Sequence, residues 1–137
     1  MAELEVALVA ADREVWSGKA SMVIAKTADG DVGIMPGHQP ILSVLKPSVA
    51  VIKTLEDGAP GENLRVALHG GFISVDENRV SLLSEAAELA GEIDVQRAEA
   101  ALARARAGEF GEDSEAAALR AEVRLRAAGR DVLSQQV

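Results

Sequence analysis

Apolar and polar positions alternate in short segments along residues 1–84, as in β-strands that bury one face. Gly, Pro, Asp and Asn cluster between these segments, as they do in turns. Short strands separated by such turns predict an all-β sandwich or barrel. The predicted strands cover residues 4–9, 15–18, 21–26, 41–45, 49–55, 64–68, 72–75 and 80–83.

The period changes after about Ser84, and from Ala86 to Ala128 the chain is rich in Ala, Leu, Glu and Arg. These residues favour helices. Gly91 marks the joint, and Asp94 is placed to cap a first helix. One face of that helix carries apolar residues at helical spacing, namely Val95, Ala98, Leu102 and Ala105.

Residues 108–113 break the helical pattern, and Ser114 is predicted to cap a second helix. The buried stripe of the second helix is predicted to be Ala116, Leu119, Val123 and Ala127. Gly129 is expected to end this helix, and the tail to Val137 is expected to be loose.

Together these patterns predict a mainly β plus α fold, with an N-terminal β-sandwich at residues 1–85 followed by a C-terminal antiparallel two-helix hairpin at residues 86–137. The stripes of the hairpin are mostly alanine, which buries little apolar area at about 25 cal/mol per Å². Two helices of about four turns each are marginal alone in water. We therefore expect a hairpin that is held weakly to the sandwich and exchanges between packed and extended arrangements.

Residues 30–40 carry three glycines and two prolines, which disfavour both a helix and a long strand. The apolar residues within the segment indicate that part of it lies against the core. The segment is therefore predicted to be a stiff loop that presents Asp31, His38 and Gln39 at the surface. Such loops on a β scaffold are common places for contacts with partners.

Composition limits the functional classes open to the chain. Apolar residues make up 48% of it and aromatic residues only 2%, so the core is expected to be aliphatic. The net charge of −8 repels nucleic acid and anionic lipid as a whole-molecule effect. The chain has no cysteine, which excludes a disulfide framework and a thiolate metal site. Neither a signal peptide nor an apolar run of bilayer length is evident, so we expect no direct membrane insertion.

Few side chains are suited to catalysis. The only histidines are His38 and His69, and nothing in their spacing indicates a zinc site. His69-Gly70-Gly71 is similar to the oxyanion loop of some esterases, but the G-x-S-x-G nucleophile motif of that chemistry is absent. A kink between strands explains these glycines more simply. The G-x-x-x-x-G-K-[ST] signature of P-loop nucleotide hydrolases is also absent.

The first predicted helix begins with the sequence Ile93-Asp94-Val95-Gln96-Arg97-Ala98. Taken alone, this is a helix start with a capping acid. The arginines would then belong to a solvated helix face and pair with Glu99, Glu115 and Glu122. The residues alone favour this solvated face, although arginine is also the better residue for bidentate contact with phosphate.

The whole arrangement resembles the epsilon subunit of F-type ATP synthases. Residues 30–40 match the pattern G-[DE]-[IVL]-G-x-x-P-G-H-x-P of that family. The segment at residues 93–98 resembles the I/L-D-x-x-R-A motif that begins the helical part of the family, and Gly70-Gly71-Phe72 resembles its glycine break. Any one motif is weak evidence, but all of them in the right order, with a sandwich before a hairpin, make a specific match.

The resemblance implies a non-catalytic rotor subunit of the central stalk. Its sandwich would bind the gamma subunit and the c-ring, and its hairpin would extend toward the alpha and beta subunits of the catalytic head and suppress ATP hydrolysis. The implied location is the cytoplasmic face of the plasma membrane, as a peripheral part of the ATP synthase. The implied c-ring contact residues are Asp31, Gly37, His38, Gln39 and Pro40.

The resemblance also implies an ATP site of the kind found in family members whose hairpin senses nucleotide. The matching residues are Glu88, Asp94, Arg97, Ala98, Arg104, Arg120 and Arg124. No cofactor is required, but regulatory ATP would hold the hairpin folded because it favours that state. The alternatives are a stand-alone ATP-binding sensor module and, more remotely, an esterase that uses His69.

Overall fold

The structure, a computed structural model, describes residues 2–129, and this range contains nine β-strands and two α-helices. The strands are β1 (Leu4–Ala10), β2 (Glu14–Thr27), β3 (Gly30–Ile34), β4 (Ile41–Leu45), β5 (Ser48–Glu56), β6 (Ala59–Leu68), β7 (Gly71–Asp76), β8 (Arg79–Ser84) and β9 (Ala87–Leu89). The helices are α1 (Val95–Arg106) and α2 (Ser114–Ala127), with short 3₁₀ turns before them at Ala90–Glu92 and Gly111–Asp113. The predicted loose tail to Val137 lies outside the described residues.

The long strand β2 is shared by both layers of the sandwich. Its first half pairs with β1, its second half pairs with β3 and β5, and its last residue, Thr27, lies opposite Leu45 of β4. The register against β5 shifts between Ala20 and Met22, and such a bulge bends a strand without ending it. The prediction of two separate strands at residues 15–18 and 21–26 was therefore wrong.

The two layers enclose one aliphatic core. One layer contains β1, β8, β7 and β4, with β1 and β8 parallel, and the other contains β5, β6 and β9. Fully buried side chains come from both layers, among them Leu4, Leu8, Ile52, Leu68, Ile73 and Leu82. Trp16 packs against this core and covers Gly18, where an added Cβ would lie 2.7 Å from the indole ring. The predicted aliphatic core is confirmed.

Two predicted loops are shorter than expected. Residues 30–40 begin as strand β3, which pairs with β2, so only residues 35–40 form a loop. The glycines of β3 are tolerated because this short strand pairs with β2 alone. The predicted turn at residues 56–63 is reduced to Asp57 and Gly58, whose positive φ values close a tight hairpin between β5 and β6.

Strand β9 extends the sheet past the predicted boundary at residue 85. It pairs antiparallel with β6, and Glu88 lies opposite Ala67. This segment was predicted to be helical because Ala, Glu and Leu favour helices. Pairing with β6 and burial of Ala87 in the sandwich core outweigh that preference, so the prediction was wrong here.

The ends of the helices follow the sequence in part. Asp94 caps α1 as predicted, because its carboxylate accepts a hydrogen bond from the Arg97 amide at 3.1 Å. Ser114 does not cap α2, because its backbone is already helical and its hydroxyl oxygen accepts from the Phe110 amide at 3.2 Å. Gly129 follows α2 with a φ of +83°, the left-handed conformation that ends many helices, as predicted.

Helix α2 lies between α1 and the outer face of β5 and β6. Its Ala121 and Leu125 pack on α1, whereas Val123 and Ala127 pack on Ala67 of β6. A helix with two partners buries two faces, so its burial does not follow one stripe. The α1 stripe is confirmed, since its members are buried or half-buried, namely Val95, Ala98, Leu102 and Ala105. The α2 stripe is right at Val123 and Ala127. Two of its predicted positions are exposed, namely Ala116 and Leu119.

The hairpin is held to the sandwich by one apolar cluster and by side-chain hydrogen bonds, including that from Arg124 of α2 to Glu88 of β9 at 2.6 Å. The apolar contact is a small cluster of α2 side chains against β5 and β6. The Arg65 guanidinium donates hydrogen bonds to the carbonyls of Ala127 at 3.1 Å and Arg126 at 2.6 Å. These carbonyls lie in the last turn of α2, where the regular helix pattern supplies no donor, although the Arg126 carbonyl also accepts from the Gly129 amide at 3.0 Å. The structure shows the packed arrangement, and its weak attachment stays a prediction.

Candidate functional site

The loop between β3 and β4, here called the contact loop (residues 35–40), is braced by the turn between β7 and β8. The Gly37 amide donates a hydrogen bond to Asn78 Oδ1 at 2.7 Å, and the His38 amide donates to the Met35 carbonyl at 3.1 Å. Gly37 has a φ of +87°, which favours glycine. The predicted contact residues in this loop are exposed or half-buried, namely Gly37, His38, Gln39 and Pro40.

Asp31 was predicted to lie in the same loop, but it lies in β3 opposite Lys26 of β2. At a rise of about 3.3 Å per residue, it is about 13 Å along the strand from Met35, where the contact loop begins. Sequence reasoning also missed Asn78. The sequence marks a turn at this position but carries no signal that the turn lies beside Gly37.

The outer face of the layer of β1, β8, β7 and β4 carries an exposed apolar row (Val9, Leu42, Val44, Phe72 and Leu83). In the strand pairings, Val44 lies opposite Phe72, Phe72 opposite Leu83, and Leu83 opposite Val9. Phe72 is 51% exposed and Leu42 is 75% exposed. Exposed apolar patches of this kind mark interaction sites. Sequence reasoning missed the row because its members come from four different strands.

A groove of about 520 Å³ lies between α1, α2 and the end of the sheet. It is lined by six of the seven residues predicted to bind ATP, namely Glu88, Asp94, Arg97, Ala98, Arg104 and Arg124. The seventh, Arg120, lines an adjoining groove together with Phe110, and Arg124 borders both grooves. The structure thus brings the predicted residues together, with Arg120 set to one side.

The arginines around the grooves differ in their partners. Arg104 Nε lies 3.1 Å from Glu109 Oε2, and the Arg104 guanidinium lies 5.0 Å from the centroid of the Phe110 ring. Among residues 2–129, the guanidinium groups of Arg97 and Arg120 have neither a hydrogen bond nor an ion pair. Their charges are therefore available to an anion in the grooves.

The alternative of a solvated helix face with paired charges is supported at one position. Glu122 of α2 lies 3.6 Å from the Arg106 guanidinium. Within the described part of the chain, Glu99 and Glu115 make no ion pair. Surface pairs of this kind contribute little stability, so they do not explain why unpaired arginines gather at the groove.

His69, Glu88 and Arg124 form a chain of polar contacts beside the groove. Glu88 Oε1 lies 2.6 Å from Arg124 Nε and 3.2 Å from His69 Nε2. Burial lowers the pKa of His69 despite the hydrogen bond to Glu88, and the nearby Arg124 charge lowers it further. Burial alone would raise the pKa of Glu88, but the hydrogen bond and charge of Arg124 outweigh it and lower that pKa.

The arrangement fits anion binding better than ester hydrolysis. His69 Nε2 is engaged with Glu88, and its Nδ1 is buried without a partner among residues 2–129, so neither ring nitrogen is placed to act as a base toward a substrate. Gly71 has a steric role, since its φ is +118° and an added Cβ would lie 1.9 Å from the Leu83 carbonyl oxygen. Residues 2–129 contain no group of three or more His, Cys, Asp or Glu side chains that could hold a metal ion. In that same range no helix combines the length and apolarity needed to cross a membrane.

Residues 3–90 match the family described as ATP synthase, Delta/Epsilon chain, beta-sandwich domain. The ATP synthase epsilon chain of Streptomyces avermitilis is 56% identical over 126 residues, which cover 92% of this chain and 95% of the relative. The ATP synthase epsilon chain of Thermobifida fusca is 50% identical over 128 residues, or 92% of either chain. The ATP synthase epsilon chain of Rhodococcus jostii is 46% identical over 130 residues, or 95% of this chain and 99% of the relative.

A chain in the solved structure of the Euglena gracilis mitochondrial ATP synthase, with OSCP, F1 and c-ring, has a similar fold. The TM-score is 0.68 at 24% identity, over 91% of this chain and 76% of that chain. This likeness supports the fold. The match over the β-sandwich, and relatives that align along nearly the whole length, show that the chain belongs to the ATP synthase epsilon chain family.

Proposed function

We propose that the chain is a non-catalytic central-stalk subunit of a proton-translocating ATP synthase and that its hairpin restrains ATP hydrolysis. One observation carries the proposal: a sandwich with its own core presents an exposed apolar row, while one small apolar cluster and hydrogen bonds from arginine side chains hold the hairpin to its other layer. Relatives named ATP synthase epsilon chain support the assignment to the enzyme. The chain is then a peripheral component at the cytoplasmic face of the plasma membrane.

The apolar row is the proposed binding surface for the gamma subunit. It lies on the outer face of one layer, whereas the hairpin packs on the outer face of the other, so the docked hairpin leaves the row uncovered. Burying one side chain of the size of Phe or Leu contributes about 1.5–3 kcal/mol. A row of such side chains therefore favours a stable partner with a complementary apolar surface.

Replacing Phe72 with glutamate should weaken binding to the gamma subunit by about tenfold or more, because a carboxylate would be desolvated in the apolar row. Phe72 lies between Val44 and Leu83 in the strand pairings, so it occupies the middle of the row. Titration calorimetry with purified subunits measures the effect.

The matched control is Asn63→Glu, which adds the same charge at an exposed position of β6, in the other layer of the sandwich. This variant should bind the gamma subunit as the unmodified chain does. If Phe72→Glu also binds normally while its circular dichroism shows a native fold, the apolar row is not the gamma surface.

The contact loop is the proposed c-ring surface. Its hydrogen bond to Asn78 fixes the backbone before binding, and a preorganised loop loses less conformational entropy when a partner binds. His38, Gln39 and Pro40 lie at this loop, and Asp31 adds an exposed carboxylate further along β3. The proposed surface therefore runs from the contact loop along the edge strand β3.

The docked hairpin is proposed to be one of two states, the other being extended along the gamma subunit toward the alpha and beta subunits. The groove is formed by residues of β9, α1 and α2 together, so it exists only in the docked state. A ligand that binds one of two states shifts the population toward that state. ATP in the groove would therefore favour the docked hairpin and oppose inhibition.

The chemistry of the grooves fits a nucleotide with phosphate groups. Arginines present planar donor pairs that match phosphate oxygens. The side chains of Arg97 and Arg120 are unpaired within residues 2–129, and carboxylates of Glu88 and Asp94 can accept from ribose hydroxyl or adenine amino groups. The same grooves also favour the second candidate function, a stand-alone ATP-binding sensor.

Replacing Arg97 with alanine should weaken ATP binding by about tenfold or more, the effect of one lost charge-assisted hydrogen bond. Titration calorimetry on the whole chain measures this directly. Arg79→Ala removes an equal charge from β8, where the arginine pairs with Glu5 at 3.6 Å, and it should leave ATP binding unchanged.

Absence of heat at millimolar ATP with the unmodified chain would reject both the proposal that ATP holds the hairpin docked and the stand-alone sensor. A stand-alone sensor also predicts that the chain purifies without ATP synthase subunits. Co-purification with a gamma subunit and a catalytic head favours the central-stalk function instead.

A further inference from the structure

Three elements meet at the carboxylate of Glu88. The carboxylate belongs to β9, His69 belongs to the connection between β6 and β7, and Arg124 belongs to α2. Glu88 Oε1 accepts from Arg124 Nε at 2.6 Å and contacts His69 Nε2 at 3.2 Å. One oxygen atom therefore links the sandwich to the helix that packs against it.

The contacts determine which nitrogen of His69 carries the proton. A carboxylate is an acceptor, so Nε2 carries the hydrogen and donates it to Glu88. Neutral imidazole then has an unprotonated Nδ1, and this atom is buried without a partner among residues 2–129. The side chain as a whole is only 7% exposed. The site thus accommodates the neutral ring, and residues 2–129 provide no acceptor for a second N–H donor on it.

We propose that His69 is a positioning residue that orients Glu88 toward Arg124, and that protonation of His69 releases the hairpin from the sandwich. This proposal rests on one part of the proposed function, namely that the hairpin can leave the sandwich. Protonation would place an N–H donor on the buried Nδ1, which has no acceptor within the described residues. It would also place a positive imidazolium close to the guanidinium groups of Arg124 and Arg120.

The sign of the pH effect follows from the groups that face His69. Glu88 of β9 favours the protonated ring, whereas burial and the charges of Arg124 and Arg120 of α2 disfavour it, and the pKa of His69 is lowered in the docked state. With the hairpin released, the charges of Arg124 and Arg120 move away while Glu88 of β9 stays beside the ring, so the pKa of His69 rises toward its ordinary value of about 6.5. The released state therefore binds the proton more readily, and docking is lost as the pH falls below that value.

Hydrogen exchange of α2 backbone amides on the whole chain tests the proposal, with rates corrected for the intrinsic pH dependence of exchange. Between about pH 7.5 and about pH 5.5, the opening equilibrium of α2 should rise about five- to tenfold, as expected for one linked proton. Amides of β7 and β8 in the sandwich serve as the internal reference, because they should show no such rise.

Two variants separate positioning from packing. His69→Gln keeps an N–H donor near the place of Nε2 but cannot titrate, so α2 should stay docked and lose its pH dependence. His69→Leu removes the donor, so α2 should open more at every pH, again without pH dependence.

The outcomes distinguish this proposal from the proposed function. Suppose that α2 opens independently of the sandwich but that its opening does not depend on pH, or still depends on pH in His69→Gln. His69 is then not the positioning residue, and the proposal of a moving hairpin is retained. If α2 exchanges only together with the sandwich at every pH, neither the release by His69 nor the moving hairpin is correct.

Discussion

Replacing Gly71 with alanine should destabilise the sandwich by about 3 kcal/mol or more, the largest effect expected of any single methyl group in this chain. The added Cβ would lie 1.9 Å from the Leu83 carbonyl oxygen, which is a backbone atom of the paired strand β8. The φ of +118° adds strain for any residue other than glycine. Relief would require β7 and β8 to separate where they hold the core.

Denaturant unfolding of three variants separates the clash from the backbone strain. Gly70→Ala meets nothing within 4 Å but keeps a φ of +88°, so it should lose only about 1 kcal/mol. Gly33→Ala also has open space and has no φ in the left-handed range, so it should be nearly neutral. A loss for Gly71→Ala no larger than for Gly70→Ala would show that the strand pair moves apart without penalty.

Removing the chain from Asp94 onward should raise ATP hydrolysis by the assembled enzyme severalfold. The sandwich core contains no residue of α1 or α2, so the remaining chain keeps its packing and the apolar row. The truncation follows Ile93 and preserves β9, which pairs with β6. Assembly with the gamma subunit should therefore be retained while the proposed inhibitory element is lost.

The control for the truncation is the full-length chain reconstituted with the same enzyme, with subunit content measured in both preparations. Removing β9 as well should impair assembly, because Ala87 is part of the sandwich core. Equal rates of hydrolysis with full-length and truncated chains, at equal subunit content, would eliminate the inhibitory role of the hairpin.

The sandwich could be predicted because most of its strands carry a local signal. The segment of β8 is an example, since Val80 and Leu82 face the core and alternate with more exposed residues. Strand β9 carries no such signal, because its three residues favour helix and become a strand only by pairing with β6. The bulge after Ala20 likewise has no local sequence signal, because it depends on where β5 pairs with β2.

The candidate site was predicted through family motifs more than through chemistry. The sequence marks Asp94 as a helix cap, but its place in one groove with Glu88 depends on how the hairpin lies against the end of the sheet. The contact of His69 with Glu88 joins positions 19 residues apart and follows from the β6–β9 pairing. Exposure of Phe72 beside Val44 likewise follows from strand pairing, which no local pattern encodes.

Measuring the distance between the hairpin and the sandwich tests most directly whether the hairpin moves. Nitroxide labels on Lys53→Cys in β5 and Glu115→Cys in α2 report it by double electron–electron resonance, since both positions are exposed and the chain has no cysteine of its own. In the assembled enzyme we expect two distances, one matching the docked hairpin of this structure and one longer, with ATP increasing the docked fraction. A single docked distance, with and without ATP and with the gamma subunit bound, would contradict a regulatory hairpin.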